Sequence, residues 1–475
     1  MNSSNKKRRL NVDKIMENAE QAASVFKQMD QDRTDRIVKA AYEAGFKHRI
    51  VLAKFAHRET GLGKWEDKVI KNIIATQFVY EDIKNLKTVG TLSEDEENGI
   101  VEIAQPIGPI FAITPITNPT STVLFKILIA LKTRNPIIIR PHGSAKKSSI
   151  EAARLCYEAA LDMGAPKHCI QWIRHSTQEQ TLECMGHTKT ALILATGSVG
   201  LVRAAYSSGN PAIGVGPGNV PVYIGKSADI PFAVEQIYMS KTFDNGTVCA
   251  SEQAVIVRRC IATNVINEFE RQKAYFLSKP EIKRLETAAF NKTLKVMNTE
   301  VIGQPATVIA MMANIDVPPD TMLLIAKLEE VGIQSPISLE ILAPILAFYI
   351  VDDFAQAIEK CREINVHGGL GHTASIFSKD DEKINYFASI MNAGRILVNT
   401  PASQGAMGGT YNTLPPSLTL ACGSGGKNIT TDNISAKHLL SIQRIARRHV
   451  NKYIDNLDRK IHLDESIDAG SLEKI

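Results

Sequence analysis

Residues 109–140 read PIFAITPITNPTSTVLFKILIALKTRNPIIIR. Pro109–Thr114 and Pro136–Arg140 are short apolar runs of buried-strand length. Between them, Ser121–Lys132 has the texture of a helix that opens just after Asn118-Pro119-Thr120. Strand, helix, strand is the repeating unit of a parallel sheet. Upstream, Ile100–Ala104 reads as a further strand. Downstream, Ala145–Met163 reads as a helix and Ala191–Thr196 as a strand, followed at once by Gly197-Ser198 and another helix. The alternation predicts an α/β fold with a doubly wound parallel sheet.

The flanks complete the outline. Residues 12–29 carry Ile15, Ala19, Ala22, Ala23 and Phe26 at helical spacing, and helical patterns continue to about residue 88. A second α/β unit is expected from about residue 230 to about 420. Within it, 264–300 reads as polar helices, and Ala343–Val351 and Ile396–Asn399 as strands. The last 45 residues read as basic and helical, then acidic. The end, from about 460, is expected to be disordered or an arm on a partner subunit.

A chain of 475 residues is too long for one small core. Its 44% apolar and 22% charged residues are those of an ordinary globular protein. The net charge of +5 is a mild excess, compatible with anionic ligands such as dinucleotides and too small to point to nucleic acid. No run approaches the ~20 apolar residues of a membrane span, because Lys126 interrupts the best candidate, 123–131. No signal peptide is read in residues 1–12, whose Lys6-Lys7-Arg8-Arg9 run is taken as a solvated terminus. Seven cysteines form neither a CxxC pair nor a metal-ligand spacing. A reducing, cytoplasmic setting and no metal site are expected.

One of these cysteines stands apart. Cys249 follows an Asn245-Gly246 turn among small polar neighbours, whereas the other six read as small buried hydrophobes. About thirty residues upstream, the segment 211–221 (PAIGVGPGNVP) contains no acid. A thiol that forms a thioester without a nearby carboxylate to activate water points to acyl transfer to another thiol. Asn118 fits either an oxyanion donor or a helix cap. Ala195-Thr196-Gly197-Ser198-Val199-Gly200 fits either a pyrophosphate turn at a helix start or a structural turn. Arg140, before Pro141-His142, fits a ribose or phosphate contact or a surface ion pair. His367 lies in a glycine-rich turn, facing a cleft or merely exposed. Gly214, Gly216 and Gly218 alternate along an extended segment whose backbone must approach something closely.

Taken together, these segments resemble the CoA-acylating aldehyde dehydrogenases, and most nearly the aldehyde dehydrogenase half of the bifunctional aldehyde–alcohol dehydrogenases. The carrying motifs are Thr117–Thr122, Leu131–Asn135, Ala204–Gly209, Phe243–Gln253, Gly368–Thr373 and Asn399–Gly405, and the likeness runs from about 12 to 445. It implies the aldehyde dehydrogenase fold. A nicotinamide-binding Rossmann-like domain would span 1–230, with part of a small oligomerisation arm near 98–112. A catalytic α/β domain would span 231–420, and an arm and tail 421–475.

The resemblance also implies roles. Cys249 would be the nucleophile, Asn118 and the Cys249 N–H the oxyanion donors, and His367 an acid/base or CoA contact. Thr114, Pro115, Arg140, His142, Gly197, Ser198, Gly214, Gly216 and Glu340 would hold NAD or NADP, with Glu340 on the nicotinamide ribose. Position 143, a glycine, leaves the choice of dinucleotide open. CoA would be co-substrate and a homodimer or homotetramer the assembly. The hydrolytic members' general-base glutamate is replaced here by Val215 or Gly216, which favours acyl transfer over release of a free acid. Alcohol formation is not expected. A short aldehyde such as acetaldehyde is the implied substrate. Sulfoacetaldehyde or succinate semialdehyde is the alternative, with Thr400, Ser403 and Gln404 as polar pocket residues.

Overall fold

The computed structural model describes residues 11–291, 296–450 and 459–472, so the Lys6–Arg9 run lies outside the described residues. Two parallel sheets organise the chain. The first has five strands in the order Ile170–Trp172, Ile137–Arg140, Ile110–Ile113, Leu192–Thr196, Ala212–Val215. The chain starts in its middle strand, winds outward to one edge, then returns to wind toward the other. The order reverses between Ile110–Ile113 and Leu192–Thr196. In such sheets, the crevice beyond the carboxyl ends of the strands at the reversal is where ligands bind.

The second sheet has seven parallel strands, in the order Ala274–Leu277, Leu323–Lys327, Ile345–Val351, Glu252–Arg258, Val220–Ile224, Gly371–Phe377, Ala393–Val398. The chain therefore changes sheet between Val215 and Val220, ahead of residue 230. Inside 264–300, read as helical throughout, Ala274–Leu277 forms an edge strand. Its Ala-Tyr-Phe-Leu carries no β-branched residue and lies between Lys273 and Ser278, with no proline or glycine beside it to mark a strand. The segment Leu440–Ala446, read as helical, is also a strand. It pairs antiparallel with Ile100–Pro106, which pairs with Gly90–Asp95 in a separate three-stranded sheet. Its partner lies over 300 positions away, so local pattern could not reveal it.

The helix Pro119–Lys132 is buried along its whole length. It packs under the first sheet, with Val123, Leu124, Ile127 and Leu131 in the same cluster as Ile110, Ile137 and Ile139. A helix apolar on all sides is stable only when covered on all sides. Lys126, the one charge in its middle, is satisfied there. Its Nζ donates to Ile113 O at 2.8 Å, Leu194 O at 2.9 Å and Thr196 Oγ1 at 3.1 Å. No helix among the described residues is long and apolar enough to cross a membrane. Of the six cysteines expected to be buried, Cys260 is exposed, at the start of the helix Arg259–Arg271; the other five are buried.

Candidate active site

The Cys249 loop begins where the helix Ile230–Thr242 ends. Asp244 (φ 49°), Asn245 (φ 51°) and Gly246 (φ 72°) are consecutively left-handed. The conformation costs a non-glycine residue about 1 kcal/mol or more, and glycine little. Fixed contacts offset the cost at Asp244. Its N–H donates to Asp67 Oδ2 (2.7 Å), and its Oδ1 accepts the Lys64 N–H (2.7 Å). Its Oδ2 accepts from Lys68 Nζ (2.9 Å), Lys71 Nζ (2.5 Å) and Thr247 Oγ1 (2.7 Å). The Asn245 amide donates to Gly303 O at 2.9 Å. Cys249 follows in a turn, half-buried, just before the central strand Glu252–Arg258.

Asn118 sits at the N-terminus of Pro119–Lys132 but makes no capping bond. Its Oδ1 accepts from Lys71 Nζ at 2.6 Å, and its Nδ2 donates to Thr117 Oγ1 at 3.2 Å. One ammonium thus holds Asn118, Asp244 and Thr247, so Asn118 and the Cys249 loop meet across Lys71.

Gly218 and Glu340 close the other side. A Cβ on Gly218 would lie 2.2 Å from the Cys249 carbonyl oxygen, so the two backbones touch. The Gly218 N–H donates to Glu340 Oε1 at 2.7 Å. Burial pushes Glu340 up to about 7, against the Gly218 N–H and the Lys241 ammonium. Burial also pushes the Cys249 thiol up to about 12, and the Glu340 charge adds to the rise. The segment 211–221 contains no acid, yet the fold brings Glu340 to Gly218 from more than a hundred positions away, close enough for its charge to act on Cys249. An acid-free pocket, inferred from that segment alone, does not hold. Burial and the other surroundings give long-range contacts no trace in local sequence.

His367 is exposed at the end of the helix Phe354–Val366, its carbonyl accepting from Asn219 Nδ2 at 3.3 Å. It is one residue removed from Gly218 through Asn219, with no direct bond to Cys249. The second histidine of the same glycine-rich run, His372, is fully buried. Its Nδ1 lies 3.0 Å from Thr373 Oγ1 and 3.1 Å from the Gly218 Cβ position. Burial, with the Arg395 guanidinium, pushes it down to about 3, so its ring is neutral.

The crevice of the five-stranded sheet is where the remaining residues lie. Thr114 and Pro115 follow the middle strand, Arg140 and His142 end the next, and Gly197 and Ser198 follow the strand across the reversal. The Thr114 hydroxyl and Arg140 Nε are buried without a partner. Ser198 caps the helix Val199–Tyr206, accepting from the Leu201 N–H at 3.4 Å. Polar groups left unmatched at strand ends, beside a helix N-terminus, fit a dinucleotide. Gly214 differs in character: a Cβ there would meet Val202 at 2.6 Å and Tyr206 Oη at 3.0 Å, so its close approach is to the chain's own helix. Gly216 faces open space. Burial and Arg140 hold His142 below its ordinary value. Near it, Glu59 accepts the Lys147 N–H at 2.8 Å and the Ser148 N–H at 2.7 Å, at the start of the helix Lys146–Asp162. No cluster of three or more His, Cys, Asp or Glu suited to a metal occurs among the described residues.

Lys68, Lys71, Lys126 and Glu59 carry no signal in the sequence that marks them as parts of this site, whereas Asp244 and His372 lie inside the motifs Phe243–Gln253 and Gly368–Thr373 but had no role read for them. Lys71 is buried while its neighbour Ile70 is exposed, the reverse of what side-chain polarity predicts.

Residues 2–303 match the Aldehyde dehydrogenase family. The chain is 47% identical to an acetylating aldehyde dehydrogenase of Geobacillus thermoglucosidasius, whose solved structure superposes with a TM-score of 0.90 over 93% of this chain and 97% of that one. It is 43% identical to the bifunctional aldehyde-alcohol dehydrogenase of Escherichia coli K12 over 96% of its own length and 52% of that protein's. The chain thus spans about half the length of this curated relative. A propionaldehyde dehydrogenase from a Clostridium phytofermentans microcompartment is 29% identical, with a TM-score of 0.84 over 92% of this chain and 97% of that one. That protein was also solved with a cysteine, and separately a histidine, replaced by alanine. The two positions are as far apart in its sequence as Cys249 and His367 are here. Other neighbours were solved with NADP+ and with CoA beside an acylated cysteine.

Proposed function

The chain belongs to the aldehyde dehydrogenase family, and from that premise we propose a CoA-acylating aldehyde dehydrogenase that interconverts an aldehyde and an acyl-CoA through a thioester on Cys249. The observation that carries the reading is the junction of the Cys249 loop with the Asn118 amide across Lys71. Attack by the Cys249 sulfur turns the carbonyl into an alkoxide. Asn118 Nδ2 and the Cys249 N–H are the donors that stabilise it, and one such donor is worth about 3 kcal/mol.

Thr114, Arg140, His142, Gly197, Ser198 and Glu340 would hold a nicotinamide dinucleotide, which when bound supplies the hydride acceptor. Thioester exchange then releases the acyl group to CoA. A free thiol is ~3% thiolate at neutral pH, with a pKa near 8.5. Water, with a pKa near 15.7, needs a base to compete. Val215 and Gly216 supply none, which supports acyl transfer. The spacing shared with the variant positions of the Clostridium protein supports His367 as an acid/base or CoA contact.

A short neutral aldehyde such as acetaldehyde fits better than sulfoacetaldehyde or succinate semialdehyde. Ser403 is bonded inward to Ser240 (2.9 Å) and Gln404 (2.5 Å), and Ser240 in turn to the buried Glu252. That set offers an anionic tail no cation. NAD is the preferred dinucleotide, because the Glu59 carboxylate already takes the two N–H groups that a 2′-phosphate would seek at the end of the second strand. The exposed edge of Leu440–Ala446 suits a homodimer or homotetramer.

A hydrolytic aldehyde dehydrogenase is the second reading, and the presence of Glu340 close enough to act on Cys249 favours it. One assay separates the two. An aldehyde panel is followed by NADH formation with and without CoA, and the product is identified. Acyl-CoA formed only with CoA supports acylation. Equal turnover to free acid without CoA refutes it.

A further inference from the structure

Lys71 lies on the helix Trp65–Ile73, fully buried, and three acceptors converge on its Nζ: Asn118 Oδ1, Asp244 Oδ2 and Thr247 Oγ1. An ammonium has three N–H groups and no acceptor, so each contact uses one. The Thr247 proton goes to Asp244 Oδ2. Because Lys71 only donates, the atom of Asn118 facing it must be the amide oxygen. The NH2 end is thereby turned away from Lys71, with a single bond at 3.2 Å to Thr117 Oγ1 and a second N–H left over.

We propose that Lys71 is the positioning residue of the oxyanion hole: it locks the Asn118 amide with its N–H outward and ties it, through Asp244, to the left-handed loop that carries Cys249. This rests on the reading of Asn118 as the oxyanion donor. A flipped amide would present a carbonyl oxygen to the forming alkoxide and repel it. A charged donor on Oδ1 also polarises the amide and strengthens Nδ2–H as a donor. Asp244 is the keystone, because the same carboxylate binds both lysines, Thr247 and the Lys64 N–H. Removing Lys71 leaves Asp244 paired with Lys68 at 2.9 Å, so the loop keeps a counter-ion.

The charged groups facing Lys71 are Asp244, Lys68 and Asp67. Burial lowers the ammonium to about 8, against the pull of Asp244. Above that pH a neutral amine has two N–H groups for three acceptors, and Asn118 loses its anchor.

The test is a double-mutant cycle on the full chain, with Lys71→Met, Asn118→Ala and both together, read as NADH formation from acetaldehyde. Lys71→Met is expected to lower kcat on the order of 10²-fold, as loss of one oxyanion donor does. The KM for NAD and the alkylation of Cys249 by iodoacetamide should be unchanged. In the Asn118→Ala background, Lys71→Met should cost nothing further. An added loss in the double variant, or wild-type kcat in Lys71→Met, overturns the inference.

A second measurement needs no Lys71 variant. The ratio of wild-type to Asn118→Ala rates should fall as the Lys71 ammonium, lowered by burial to about 8, loses its proton, and a ratio that rises with pH over that range overturns the inference. NADH formation is common to the acylating and hydrolytic reactions. Turnover without CoA would therefore refute the acylation reading while leaving the role of Lys71 readable.

Discussion

Gly218→Ala places the sharpest demand on the site. The added Cβ would lie 2.2 Å from the Cys249 carbonyl oxygen and 3.1 Å from His372 Nδ1. A carbon rests against a carbonyl oxygen at about 3.3 Å, so the two backbones must part by about 1 Å. Neither can yield by a rotamer change. Gly218 is held by Glu340 through its N–H, and the Cys249 loop by Asp244. A shift of about 1 Å at a reacting group lowers rate on the order of 10²-fold, or about 2.7 kcal/mol of barrier. Stopped-flow measurement of the NADH burst with acetaldehyde would report the acylation step. Alkylation of Cys249 would show that the thiol remains present, and a thermal scan would show that the chain folds. A folded Gly218→Ala protein with a wild-type burst rate would refute the reasoning, since the contact would then not set the geometry of the nucleophile.

Glu59→Gln keeps one acceptor oxygen for the Lys147 or the Ser148 N–H group and removes the charge. The preference for NAD over NADP, measured as a ratio of kcat/KM, should fall on the order of tenfold or more, and an unchanged ratio would remove Glu59 from dinucleotide selection. Gly216→Glu introduces a carboxylate where a Cβ meets nothing within 4 Å. Free-acid release should rise at the expense of acyl-CoA, and an unaltered product ratio would show that a carboxylate at position 216 does not activate water here. Burial pushes the Cys249 thiol up to about 12, so iodoacetamide alkylation of the ligand-free protein should climb roughly tenfold per pH unit between about pH 7 and 10; a plateau near pH 8 would contradict that. The same raised value contributes stability that is fully present below the unfolded thiol's ~8.5 and is lost as pH climbs toward the folded value. Urea midpoints measured against pH should fall over that window.

The strands at Ile110–Ile113, Ile137–Arg140 and Leu192–Thr196 were legible because each is an apolar run with β-branched residues set against a proline or glycine, and the helix between the first two because it is a long apolar run between them. Ala274–Leu277 and Leu440–Ala446 were not. The first has no β-branched residue and no proline or glycine beside it, and the second is defined by a partner at the far end of the chain. Cys249 and Asn118 stood out in the sequence because a thiol among small polar residues and an Asn-Pro at a strand end are locally unusual. By itself, then, the sequence determined the parallel α/β class and singled out Cys249 and Asn118 as candidates. Only the tertiary structure decided what surrounds them. Lys71 reaches Asn118 across 47 positions and Asp244 across 173, and Glu340 reaches Gly218 across 122. Hydrogen bonds between groups so far apart are set by packing of whole elements, and burial shifts protonation according to that packing, so neither leaves a mark on the local order of residues.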